Sequence, residues 1–135
     1  MELVIGGKNQ GKLSYVLGMI KADTYKIDTH EAEIYSVSDA LLQPNSIINN
    51  LQEYIKQELV NGKTSDEIMS ELKEYININP KSIIICDEVG CGLVPMEKSE
   101  REYREAVGRI CCEIAKNACK VHRVICGIGV IIKNA

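Results

Sequence analysis

Phenylalanine and tryptophan are both missing from this chain, and its six tyrosines are the only aromatic residues. A core built without Phe or Trp must be filled by Ile, Leu, Val and Ala. Few rings are left on which bases could stack, so single-stranded nucleic acid finds little platform here. Basic excess is missing as well: 16 Lys and Arg stand against 19 Asp and Glu, a net charge of −3. That is not the footprint a nucleic-acid backbone requires. No apolar run approaches the length of a membrane span, and the opening MELVIGG is too short for a secretory leader. The expectation is a cytoplasmic protein without a membrane or nucleic-acid partner.

No C-x-x-C pair occurs, although there are six cysteines: Cys86, Cys91, Cys111, Cys112, Cys119 and Cys126, all in the second half. Cys119, His122 and Cys126 have a loosely metal-like spacing. Reduced thiols are ordinary in the cytosol and buried cysteine behaves as a small hydrophobe, so these residues are read as packing rather than as a zinc site. What remains is an ordinary globular composition, 45% hydrophobic and 26% charged over 135 residues. It suits a single domain spanning residues 1–135.

Strand and helix patterns alternate along the chain. Glu2 to Ile5 is a short apolar run that ends in glycines, as a buried strand does before a loop. Leu13, Val16, Leu17 and Ile20 then recur at helical spacing, which predicts a helix from about Lys12. Thr24 to Ile27 is a candidate second strand, and Asp28 to Pro44 carries no clear pattern. Ile48, Leu51, Ile55 and Leu59 form a helical stripe stopped at Gly62. Thr64 with Glu67 is a capping box that opens the next helix, with Ile68, Leu72, Tyr75 and Ile76 on one face and Pro80 at its end. Ser82 to Cys86 lacks polar alternation, as a central parallel strand does. Residues 97–119 read as the longest helix, with Tyr103, Val107, Ile110, Ile114 and Ala118 towards the core. VHRVIC and VIIK read as strand, turn and strand. The predicted fold is a three-layer α/β domain of the P-loop NTPase type with a mainly parallel central sheet.

Two motifs carry chemistry. GGKNQGKLS places Gly6, Gly7, Lys8, Asn9, Gln10, Gly11, Lys12, Leu13 and Ser14 between the first strand and the first helix, where a phosphate-binding loop belongs. Glycines let the backbone N–H groups turn inward, the helix N-terminus favours phosphate, and Lys12 supplies a point charge. Leu13 stands where such loops carry the hydroxyl that binds Mg²⁺, and as part of the stripe it is expected to pack on the core. Ser14 is turned by about 100° and replaces that hydroxyl poorly. The second motif, IIICDEVGCGLVP, ends a strand in Asp87 and Glu88. One carboxylate would hold Mg²⁺ through water and the other would orient the attacking hydroxyl, so Lys12, Asp87 and Glu88 are the candidate catalytic residues.

DEVGCGLVPMEKSEREYREAVGRI and the closing CGIGVIIK resemble the adenosylcobinamide kinase/adenosylcobinamide-phosphate guanylyltransferase family. Glu88, Val89, Gly90, Gly92, Val94 and Pro95 match its N-E-V-G-x-G-I-V-P segment. Arg101, Tyr103, Arg104, Glu105, Gly108 and Arg109 match or conservatively replace its R-x-F-R-D-x-x-G-R segment. The resemblance covers about half the chain and implies a cytoplasmic enzyme of cobalamin assembly that takes ATP or GTP with Mg²⁺ and adenosylcobinamide, a corrinoid. It implies a second site around Gly90, Gly92, Val94, Pro95, Arg101 and Arg104, and a ring-like homo-oligomer, commonly a trimer. Guanylyl transfer in the family passes through a histidine set among arginines. His30 is the candidate here but has no arginine beside it, so kinase activity is expected over guanylyl transfer. Two other readings stand beside this one. The chain would be a nucleotide-binding subunit or regulator without catalysis, or a P-loop kinase for another small-molecule alcohol.

Overall fold

A computed structural model describes residues 1–21, 34–35, 47–89 and 96–135, with the backbone alone for Ile34 and Tyr35. In chain order the elements are β1 (Glu2–Gly6), α1 (Lys12–Lys21), β2 (Ile34–Tyr35), β3 (Ile47–Ile48), α2 (Leu51–Val60), α3 (Ser65–Ile78), β4 (Ile83–Asp87), α4 (Lys98–Asn117), β5 (Lys120–Ile125) and β6 (Ile128–Asn134). Among the described residues six strands form one sheet in the order β2-β3-β4-β1-β5-β6. Every pairing is parallel except that of β5 with β6, which are joined as a hairpin. β1 therefore lies inside the sheet, with Gly6 level with Asp87 on one side and Val124 on the other.

The two faces of the sheet are covered differently. α1 lays Val16 and Ile20 over Val4, Ile47, Ile83, Ile85 and Val124. On the opposite face α2, α3 and α4 pack Leu51, Ile55, Ile68, Leu72, Ile110 and Ile114 against Leu3, Ile48, Ile84 and Cys86. This is the expected three-layer α/β arrangement, and its cores are aliphatic as the lack of Phe and Trp demands. Near-continuous burial along β1 and β4 follows from having helices on both sides.

Several expectations meet the structure directly. The capping box at α3 is formed, with Glu67 N–H donating to Thr64 Oγ1 at 3.2 Å and Thr64 N–H donating back to the Glu67 carboxylate. Gly62 takes a positive φ of 92° just past α2, where a helix end needs the left-handed turn. Ile48, however, lies in β3 and not on the α2 stripe. Asn50 adopts a left-handed φ of 58°, so the helix starts only at Leu51 and the β-branched pair before it joins the sheet. The candidate strand Thr24–Ile27 lies outside the described residues.

The cysteines are less buried than expected. Cys86 is buried and Cys111 half-buried, while Cys112, Cys119 and Cys126 are exposed. His122 does not face those thiols. Its Nε2 meets Glu2 Oε2 at 2.9 Å and its Nδ1 meets Tyr15 Oη at 2.9 Å, so both ring nitrogens are engaged. Glu2 and His122 are 3% and 2% exposed, and the chain Glu2–His122–Tyr15 ties α1 to β1 and β5. Burial, and then the nearby Glu2 charge, raise the Tyr15 phenol above its ordinary value.

Candidate functional site

Residues 7–11 connect β1 to α1 and turn over the ends of β4 and β5. The turn begins where no side chain fits, because a Cβ on Gly6 would lie 2.5 Å from the Val124 carbonyl oxygen. It ends at Gly11, whose φ of 84° belongs to the left-handed region. Three hydrogen bonds fix it from outside. Glu88 N–H donates to Gly6 O at 2.8 Å, Gly127 N–H to Gln10 O at 2.7 Å, and Cys126 N–H to Gln10 Oε1 at 2.7 Å. The β5–β6 turn thus clamps the loop, a role the sequence did not disclose.

Lys12 opens α1 and is 7% exposed. Its ammonium lies 2.6 Å from Asp87 Oδ1 and donates to the Gly7 carbonyl at 2.7 Å. A cation so far from solvent requires such partners. Asp87, at the end of β4, has its N–H held at 3.0 Å by Oε1 of Gln52, and the Gln52 amide nitrogen donates to Asn50 Oδ1 at 3.3 Å. Gln52 is buried and Asn50 is the residue with left-handed backbone. Together these groups wall a cavity of about 360 Å³ lined by Lys8 to Ser14, by Asn49, Asn50, Gln52 and Glu53, and by Ile85 and Asp87.

The second acidic residue has a different setting. Arg123 grips the Glu88 carboxylate with two bonds, 2.9 Å from Nε and 3.2 Å from a terminal nitrogen, and Glu88 does not line the cavity. Leu13 is half-buried, packing on the α1-side core while also lining the cavity, and Ser14 is exposed on the cavity wall. Arg101 is exposed and donates to the Met96 carbonyl, and Arg104 is half-buried on α4. His30, Gly90, Gly92, Val94 and Pro95 lie outside the described residues.

Asn49, Asn50, Gln52 and Glu53 escaped the sequence reading. Their signal was weak: a two-residue strand, two asparagines, and then an amphipathic helix mistaken for one starting earlier.

Mg²⁺ takes oxygen ligands, commonly one or two carboxylates completed by water and phosphate oxygens. Asp87 and Glu53 supply carboxylates on the cavity wall, so the residues present suit that ion. The backbone N–H groups of the first turn of α1 and the Lys12 ammonium suit phosphate.

A model of the cobinamide kinase / cobinamide phosphate guanyltransferase family, CobU, matches residues 25–132. The chain belongs to this family. That match takes in Asp87, Glu88 and α4 but not the loop Gly6–Lys12, which rests on its own geometry. Two CobU relatives are named as bifunctional adenosylcobalamin biosynthesis proteins. The one from Escherichia coli (strain K12) is 36% identical over 67 residues, which is 50% of this chain and 37% of that protein. The one from Salmonella typhimurium (strain LT2) is 35% identical over 68 residues, 50% of this chain and 38% of that protein. The aligned stretch thus spans well under half the length of each CobU relative.

Proposed function

We propose that the protein binds ATP or GTP through residues 6–14 and transfers the terminal phosphoryl group to a corrinoid alcohol of the cobinamide type. The observation that carries this reading is the Lys12–Asp87 pair at 2.6 Å, joining a glycine loop to the end of a neighbouring strand at the wall of a polar cavity. With nucleotide bound, Lys12 exchanges its contacts with Gly7 and Asp87 for phosphate oxygens and balances charge on the transferred group. Asp87, and Glu53 beside it, would hold Mg²⁺, which polarises the phosphates. Gln52 keeps Asp87 in place through its N–H. Asn49 and Asn50, on the cavity wall, offer amides to a polar acceptor. Glu88 acts structurally in this scheme, bracing β4 against β5 through Arg123.

Guanylyl transfer is left aside because His30 has no arginine beside it in the sequence. A second reading, a nucleotide-binding subunit without turnover, draws on Leu13, whose side chain on the cavity wall cannot ligate a metal. Cytoplasmic location and self-association belong to the same proposal. No described helix is long and apolar enough to cross a membrane.

Calorimetric titration with ATP and with GTP, with and without Mg²⁺, followed by a phosphotransfer assay with adenosylcobinamide, tests the proposal. Lys12→Ala should weaken nucleotide binding by about 1.5–3 kcal/mol, the worth of a charge-assisted contact. A folded mutant that titrates like the parent would remove the loop from the site.

A further inference from the structure

Cys86 and Cys111 bring their sulfurs to 3.4 Å across the interface between β4 and α4. Nothing in the proposed phosphotransfer uses either thiol. Cys86 is fully buried and directly precedes Asp87, while Cys111 is half-buried on the outer helix and is the sulfur a small solute reaches first. Successive residues of a strand face opposite ways. Cys86 accordingly joins the core under α2, α3 and α4, whereas Asp87 lines the cavity with Ile85 and the loop.

We infer that Cys86 and Cys111 form an oxidisable pair that closes to a disulfide under a peroxide and thereby loosens the Lys12–Asp87 site. The second half of this inference rests on the nucleotide reading given above. Sulfur of Cys111 attacks one peroxide oxygen, the O–O bond breaks, and water leaves with the thiol proton, giving a sulfenic acid. Sulfur of Cys86 then attacks the Cys111 sulfur, the S–O bond breaks, and the Cys86 proton leaves in a second water. Two thiols and one peroxide yield one disulfide and two waters, so the sulfurs lose two electrons and two protons in all.

A disulfide bond is about 2.05 Å long, so the sulfurs must approach by more than an ångström from their present separation. The pull on Cys86 is directed towards α4, away from the face that carries α1. Asp87, the next residue, tips with the strand end and withdraws from Lys12. The bond also closes a covalent ring over residues 86–111, which holds both Asp87 and Glu88.

Hydrogen peroxide treatment of the whole chain, with and without later dithiothreitol, decides the matter through two separate readouts. Peptide mass mapping should show a Cys86–Cys111 linked peptide lighter by two hydrogens, absent in Cys111→Ser and retained in Cys112→Ser. Calorimetry with ATP and GTP should show affinity falling by about tenfold on oxidation and returning on reduction. Cys111→Ser should bind like the reduced parent and ignore peroxide. Linkage of Cys111 to any other thiol, or its passage to sulfinic acid without linkage, overturns the pair. A linked peptide with unchanged affinity overturns the coupling to the site. If the reduced protein binds neither nucleotide, the nucleotide reading falls and takes the coupling with it, while the mass map still decides whether the disulfide forms.

Discussion

Lys12 shows how one side chain can be read from spacing while its surroundings cannot. Its place after Gly6 and Gly11 was legible because a phosphate loop needs glycine turns and one cation at the helix start. Its 2.6 Å contact with Asp87 joins residues 75 positions apart, and only the sheet order brings them together. Leu13 is the opposite case. The helical stripe marked it as core, yet it is half-buried and shares the cavity wall. Leu13→Ser should therefore lower stability by only about 1–2 kcal/mol, less than a fully buried leucine loses. The new hydroxyl, offered where Mg²⁺ would sit, should make nucleotide binding depend more steeply on Mg²⁺ concentration. Thermal melts and metal titrations of parent and mutant measure both effects, and an unchanged Mg²⁺ dependence in a folded mutant shows that this position does not face the metal.

Elements were legible where periodicity or caps were strong. α3 has both a capping box and a clean apolar face, so its start at Ser65 follows from Thr64 and Glu67. β3 was illegible because two residues give no period, and because a left-handed asparagine leaves no mark in a sequence. Packing between α2 and α3 also adds an ionic cluster that no local pattern shows. Lys63 lies 2.7 Å from Glu71 Oε1 and 2.6 Å from Glu58, and Tyr54 Oη donates to Glu71 Oε2 at 2.9 Å. The bond from Lys63, with that from Tyr54, holds the Glu71 carboxyl below its ordinary value of 4.5. Burial and the Glu71 bond push the Tyr54 phenol upward. A depressed carboxyl stabilises the fold above its unfolded pKa and loses that contribution as pH falls through the folded value. Urea midpoints should accordingly drop below about pH 4.5, and Glu71→Gln should flatten that part of the profile. An identical acid profile in the mutant would show that other carboxylates govern it.

At the scale of the whole molecule the alternation of strands and helices was enough for the layers but not for the strand order. The strand at the sheet's far edge, β6, is apolar and exposed. On β6, Ile128, Val130, Ile131 and Ile132 are 69%, 54%, 48% and 57% exposed, and among the described residues that strand pairs only with β5. An uncovered apolar edge invites another strand or surface. A second copy of this chain is the occupant that the proposed self-association supplies. Val130→Lys with Ile132→Lys should then shift the protein to a smaller species in sedimentation, with the fold retained by circular dichroism. The same mass for parent and double mutant would place any self-contact elsewhere. The clamp of the β5–β6 turn on Gln10 has a further consequence, in time rather than space. The first strand and loop of the chain find partners in β4 and, further still, in β5 and the β5–β6 turn, and contacts so distant in sequence form slowly. During refolding, helical signal should rise first, and the seating of Tyr15 against Gly129, read by tyrosine fluorescence, should follow in a later phase. The loop at the start of the chain is thus among the last parts of the molecule to be finished.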